Sequence, residues 1–305
     1  MKRPAALRLI RLALFLAGVP VHGAAGVVFE VTSAYHHIRV VDDQGIRTLS
    51  FDGSQESRMS LHDPLQGHFE YTEYFHMPWL WNRQLTNVLM IGLGGASTQR
   101  AYQHTYPGVR VETAEIDPVV VRAAKDYFGL QESENQQVHV SDGRVFLRRG
   151  GGPYGAILVD AYSRNRYGSF IPYHLATKEF FALANERLAA DGVLAYNVIG
   201  TLQGWQADIL GSVYRTMKGV FPQVYLFPAQ QSLNVVLVGV KSKETPTPAA
   251  LQQRANDLIQ SKRIQLATFR ARLAVMRTEP PANFQRCQVL TDDYAPVDGL
   301  LTRGR

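Results

Sequence analysis

Asn87-Val-Leu-Met-Ile-Gly-Leu-Gly-Gly-Ala-Ser-Thr98 is the stretch whose reading decides the fold. A short apolar run, Val88 to Ile91, leads into a glycine-rich turn and then into helix-compatible residues. A run of this length and bounding predicts a buried parallel strand, although periodicity alone does not separate it from a helix. Gly92, Gly94 and Gly95 let the backbone turn tightly and let a ligand approach where a side chain would block it. The helix expected next points its free N–H groups back over the strand end, which outlines a nucleotide-cofactor site.

Downstream, strands and helices alternate. Strands are predicted at Val109–Ala114, Val138–Val140, Ala156–Val159 and Val193–Val198, and helices at 97–104, 118–127, from Gly143 to Arg149, 177–190 and 203–220. Pro118 suits the first turn of its helix, Thr177 suits an N-cap, and Asp191-Gly192 suits a helix stop. Two closing strands, Val224–Phe227 and Leu233–Val240, are separated only by a loop and are expected to pair antiparallel. Short connections and strict alternation predict an α/β fold with a doubly wound, mostly parallel, seven-stranded sheet. Ligands bind such sheets at the carboxyl ends of the strands, and Gly92, Glu115, Asp142 and Asp160 each stand at one.

Upstream, Val27–Thr32, Ile38–Val41 and Ile46–Phe51 read as a small β-domain, with turns at Asp42-Asp-Gln-Gly45 and Asp52-Gly53. Phe69 to Trp81 reads as a helix whose aromatic face packs under the next domain. Lys241 to Ala249 reads as a linker, Leu251 to Met276 as a helix, and Val289 to Val297 as a tail rich in chemistry. The expected organisation is a signal segment at 1–25, the β-domain at 26–68, a Rossmann-like nucleotide-binding catalytic domain at 69–241, and linker, helix and tail at 242–305.

With 46% hydrophobic and 19% charged residues, the chain is of ordinary globular composition. Of the net charge of +6, Lys2, Arg3, Arg8 and Arg11 supply four, leaving +2 for the rest and little case for nucleic acid. A basic start, the apolar stretch Leu12–Val21 and small residues at Gly23–Gly26 predict a secretory signal and export, with an uncleaved anchor or a cytoplasmic chain as alternatives. The stretch is too short to span a bilayer comfortably, so a cleaved signal leaves no membrane span. The lone Cys287 forbids an intramolecular disulfide and reads as a buried structural thiol. The nine histidines form no ligand set, and no metal is expected. No Gly-x-Ser-x-Gly elbow is present.

Glu115 lies 23 residues beyond Gly92, where a carboxylate meets ribose hydroxyls. Asp142-Gly143 suits an adenine contact, a helix N-cap, or both. Together they point to an S-adenosyl sulfonium nucleotide. Asp160 follows four apolar residues, which places a carboxylate in a dry mouth beside the cofactor, able to hold or deprotonate an amine. Tyr162 and Tyr167 line that pocket or cover it.

The order of these motifs resembles the spermidine synthase family of aminopropyltransferases, from about Val27 to Val240 and again at Leu290–Val297. Asp52-Gly53 with Gln55 resembles the family's Asp-Gly-x-x-Gln imperfectly, and Tyr71-Thr-Glu73 stands where the family has Tyr-His-Glu. Ile91–Thr98 aligns with Ile-Gly-Gly-Gly-Asp-Gly-Gly-Thr, and Glu115-Ile-Asp117 and Asp142-Gly143 match its nucleotide-binding acids. Asp160 aligns with the catalytic first Asp of Asp-Ser-x-Asp, and Thr291–Pro296 looks like the family's ending. The resemblance implies a β-domain before a sheet of class I methyltransferase type, with decarboxylated S-adenosylmethionine as co-substrate and an amine such as putrescine as acceptor. It implies a substrate set of Gln55, Tyr71, Glu73, Tyr162, Asp292 and Asp293, and leaves room for a homodimer.

The departures fall on one half of the site. Gly95 replaces the glycine-loop Asp, Thr72 the His, and Ser163 the second Asp, while Arg164 and Arg166 add positive charge. A dication needs carboxylates to offset its desolvation, so Asp292 and Asp293 would restore acidity if the tail folds over the cleft. Ordinary S-adenosylmethionine with methyl transfer, and an exported binding protein without catalysis, are the alternatives.

Overall fold

The computed structural model describes residues 25–300, apart from 166–167, 205–206 and 283. The predicted signal segment, Arg166 and Tyr167 therefore lie outside the described residues, Ala25 excepted. Four strands open the chain: β1 (Gly26–Thr32), β2 (His37–Asp43), β3 (Ile46–Phe51) and β4 (Ser54–Ser60). A helix, Glu70–Leu80, links them to β5 (Asn87–Ile91), α1 (Ser97–Thr105), β6 (Arg110–Glu115), α2 (Pro118–Phe128), β7 (Gln136–Val140) and α3 (Gly143–Arg149). Then come β8 (Tyr154–Val159), a small hairpin of β9 (Ser163–Asn165) and β10 (Gly168–Phe170), α4 (Lys178–Arg187) and β11 (Leu188–Ile199). The last elements are α5 (Ala207–Lys218), β12 (Gln223–Pro228), β13 (Asn234–Val240), α6 (Pro248–Gln260), α7 (Phe269–Ala274) and α8 (Val297–Leu300).

The main sheet has seven strands in the order β12-β13-β11-β8-β5-β6-β7, and only β13 runs against its neighbours. Strand order reverses between β5 and β8, which opens a crevice at their carboxyl ends. Every residue of β8 and all but the first of β5 are buried, as expected of strands covered on both faces.

The first four strands form an antiparallel meander. Gln44-Gly45 and Asp52-Gly53 all have positive φ, the signature of two-residue turns that match the twist of a hairpin. Its inner face, Ile38, Val40, Leu49 and Met59, packs on Val120, Val121, Ala124 and Phe128 of α2. The meander thus lies over the glycine turn, with Leu93 and Ala96 in the same cluster.

Four expectations are corrected. β4 is a strand that its polar sequence concealed, because only Ser57 and Met59 of its seven residues are buried. The Glu70–Leu80 helix is of the 3-10 type, and every residue from Tyr74 to Leu80 is buried, so its second half is enclosed on all sides instead of packing through one aromatic face. Helix α4 ends at Arg187, because Leu188 is already buried and paired with Tyr154 of β8. The single helix expected over 251–276 is two, interrupted after Ser261 where Lys262 takes a left-handed φ of 55°.

Candidate active site

A cleft of about 410 Å³ opens at the carboxyl ends of β5, β6 and β8. Gly92, Gly94, Glu115, Asp142, Gly143, Asp160, Gln55, Tyr71 and Tyr162 all line it. Residues more than a hundred positions apart converge there because consecutive parallel strands end on one edge.

The glycines are required by close approach. A Cβ at Gly92 would lie 2.1 Å from the carbonyl oxygen of Asp160, and its φ is 97°. A Cβ at Gly143 would meet Ile91 Cγ2 at 2.3 Å, so α3 can sit this close to β5 only with glycine. Gly95 faces away from the cleft, which corrects its expected role: its N–H donates to Ser57 Oγ at 2.8 Å, and a Cβ would strike Ser57 and Phe128.

Glu115 is buried and accepts from the N–H groups of Leu93 and Asp117 at 3.0 and 2.9 Å. Burial outweighs these bonds and pushes its carboxyl up to about 7. Beside it Ile116, an exposed apolar residue, offers the cleft a flat wall. Asp142 caps α3 by accepting from Val145 N–H at 2.8 Å, and its other oxygen meets His174 Nε2 at 2.7 Å. Burial opposes ionisation of Asp142, but the bonds from His174 and Val145 prevail and hold its carboxyl below the ordinary range.

Asp160 is held from both sides. Tyr71 donates its hydroxyl to Oδ2 at 3.0 Å, and Asn197 donates its amide to Oδ1 at 2.9 Å. Burial nevertheless pushes the Asp160 carboxyl above its usual range. Asn197 is fixed in turn by Asn234 at 3.1 Å, and its carbonyl accepts from Tyr162 at 3.0 Å. Asn197, Asn234, His174 and Glu56 escaped the sequence reading. The two asparagines were detectable as polar residues on otherwise apolar strands, since a buried amide needs partners.

Three further acids lie outside the cleft. Glu73 faces the C-terminal region, where it accepts from Arg272 Nε and Thr268 Oγ1, both at 2.6 Å, and meets His68 at 3.0 Å. Although burial favours its neutral form, these bonds hold its carboxyl down at about 2. Arg272 also pairs with buried Glu70 at 2.8 Å. Asp292 forms a two-pronged pair with Arg144 at 2.7 and 2.6 Å and accepts from Thr177, which pins the tail to α3 and α4. Asp293 beside it is exposed to solvent. The tail therefore contributes no acid to the cleft.

Arg272→Met is expected to destabilise the protein by about 3 kcal/mol, because it strands Glu70 and Glu73 without a counter-charge. Glu73 titrates at about 2 when folded, below its unfolded value, so its contribution is present above pH ~4.5 and lost as pH falls toward 2. Urea unfolding should show this acid-side loss in wild type and a smaller one in Arg272→Met. Equal stability of the two proteins at pH 7 would overturn the assignment.

Among the described residues, no group of three or more His, Cys, Asp or Glu is placed to hold a metal ion. No helix among them is long and apolar enough to cross a membrane.

A sheet of this order with strand-end acids around a glycine turn defines an α/β protein of the class I methyltransferase type. Residues 68–244 match the spermine/spermidine synthase domain, and the chain belongs to that family. It is 32% identical over 290 residues to a polyamine aminopropyltransferase of Vibrio vulnificus (strain CMCP6), covering 91% of this chain and 92% of that protein. A crystal structure of a probable spermidine synthase from Corynebacterium glutamicum ATCC 13032 has the same fold, with a TM-score of 0.65 at 17% identity over 89% of this chain and 99% of that one. A shorter match, 31% identical over 157 residues, links 50% of this chain to 22% of an eEF1A lysine and N-terminal methyltransferase from Xenopus laevis.

Proposed function

We propose that the chain is an aminopropyltransferase that transfers the aminopropyl group of an S-adenosyl sulfonium donor, decarboxylated S-adenosylmethionine, to a small-molecule amine. The observation that carries this reading is Asp160, fixed by Tyr71 and Asn197 in the cleft that Glu115 and Asp142 share. The residues present fit a nucleoside: Gly92 and Gly94 line the cleft at the strand end, and Glu115 and Asp142 suit ribose hydroxyls and an adenine amino group. The donor supplies an electrophilic carbon whose bond to sulfur breaks as the amine nitrogen bonds to it, leaving a neutral thioether. Asp160 orients that nitrogen and takes the proton it loses. Tyr71 and Asn197 keep both carboxylate oxygens aimed, and the enclosed cleft strengthens their electrostatic effect. The relatedness to a polyamine aminopropyltransferase over 91% of this chain supports the same chemistry.

Purified protein, decarboxylated S-adenosylmethionine and a panel of amines should yield methylthioadenosine. The second reading, methyl transfer, is favoured by the partial methyltransferase match and by Ser163, which lines the cleft where the family has its second Asp. It predicts S-adenosylhomocysteine from ordinary S-adenosylmethionine, and exclusive formation of that product would replace the first reading.

A further inference from the structure

Asp142 and His174 are 32 residues apart in sequence and meet in the cleft, which both of them line. His174 Nε2 lies 2.7 Å from Asp142 Oδ2. Asp142 is held as a carboxylate, which only accepts hydrogen bonds, so Nε2 carries the proton and donates it. The other oxygen, Oδ1, is committed to the cap of α3 through the Val145 N–H. The cap alone would leave the carboxylate plane free to swing about that contact, and the bond from His174 fixes it. A carboxylate oxygen has room for two donors, so Oδ2 keeps a lone pair for the cleft.

His174 is itself fixed from behind. It lies in a single 3-10 turn, Tyr173–Leu175, whose carbonyls are tied on two sides. Tyr196 donates its hydroxyl to the Leu175 carbonyl at 2.9 Å, and Arg144 donates Nη1 to the His174 carbonyl at 3.1 Å. Arg144 is buried, and its guanidinium is locked by the two-pronged pair with Asp292. Asp292 accepts from Thr177 Oγ1 at 2.7 Å, and its own N–H donates to Glu179 at 3.0 Å. A chain of hydrogen bonds therefore runs from the tail through Arg144 and His174 to one oxygen of Asp142. A site that reads a small polar group is selective when its acceptor is aimed before the ligand arrives.

We propose that His174 is the positioning residue that aims Asp142 Oδ2 at the amino group of the adenine ring, and that Asp292 of the tail sets His174 through Arg144. The inference rests on the nucleoside reading of this cleft and deepens it by naming what makes the cleft selective for a 6-aminopurine. It also gives Asp292 a task without bringing it into the cleft.

The test measures, by calorimetry, the binding of methylthioadenosine and of its purine analogue lacking the 6-amino group. The proteins compared are wild type, His174→Ala, His174→Gln and Asp292→Asn. Wild type should prefer methylthioadenosine by about a hundredfold. His174→Ala should narrow that preference at least about tenfold, weakening methylthioadenosine while the purine analogue stays within about threefold. A Gln amide can place an N–H near the position of Nε2, so His174→Gln should restore most of the preference. Asp292→Asn should narrow it by about threefold or more, because the charged pair that locks Arg144 is gone. An unchanged preference in His174→Ala, or equal loss of both nucleosides, would make His174 a piece of the wall and overturn the proposal. Failure of His174→Gln to restore what alanine lost would overturn it as well. Wild-type preference in Asp292→Asn would overturn the part given to the tail. A His174-dependent preference without transfer to any amine sinks the transferase reading and keeps this inference. Equal binding of the two nucleosides by a wild type that does transfer to an amine sinks this inference alone.

Discussion

Asp160→Asn is expected to lower methylthioadenosine release by about a thousandfold, roughly 4 kcal/mol of transition-state stabilisation. The side chain is nearly isosteric and can keep contacts with Tyr71 and Asn197, so the cleft should hold its shape. What disappears is the carboxylate that accepts the proton and offsets the ammonium charge. Nucleoside affinity should stay within about threefold, since Asp160 is separate from the ribose and adenine acids, and stability should be equal or higher because a buried acid has been removed. In wild type, burial raises the Asp160 carboxyl, so turnover should fall on the acid side at a pH above the ordinary aspartate range. A variant rate within tenfold of wild type would remove Asp160 from the chemistry.

Gly92→Ala is expected to damage both fold and site. The added Cβ falls 2.1 Å from a backbone oxygen, and backbone cannot rotate away as a side chain would. The φ of 97° adds strain of its own, about 1–3 kcal/mol for a residue with a side chain. Relief requires the ends of β5 and β8 to part, which displaces Asp160 and widens the crevice. The expected outcome is a stability loss of about 4 kcal/mol and nucleoside binding weakened by at least about a hundredfold. Gly53→Ala is the control: its φ is 84° but nothing lies within 4 Å of its Cβ, so only the backbone cost remains. If the two variants lose stability equally, the contact with Asp160 is not what demands glycine.

Much of the site was legible because it is built from strand ends. Gly92, Glu115, Asp142 and Asp160 each stand at or just past the end of a predicted strand, and in a parallel sheet such ends fall on one edge whatever the loops do. The antiparallel β12–β13 pair was legible from the brevity of the loop between them. Misplaced features share another cause. β4 was missed because a strand whose partner buries only Ser57 and Met59 shows almost no alternation. Gln55, singled out by its motif, does line the cleft; Glu56 beside it was missed because a bulge shifts the register by one residue without changing composition.

The sequence by itself determined the alternation of strands and helices, the glycine turn and the acids that follow each strand, because hydrophobic period and backbone sterics act over a few residues. The tertiary structure alone decided which charges meet. Glu73 is separated by 199 residues from Arg272, and Asp292 by 148 from Arg144; both acids were drawn away from the cleft by those partners. Pairing at such separations depends on how whole elements pack, and a buried charge settles wherever packing offers it a counter-charge. Glu56, aimed by its bulge, is the acid that the fold brings to Asp160.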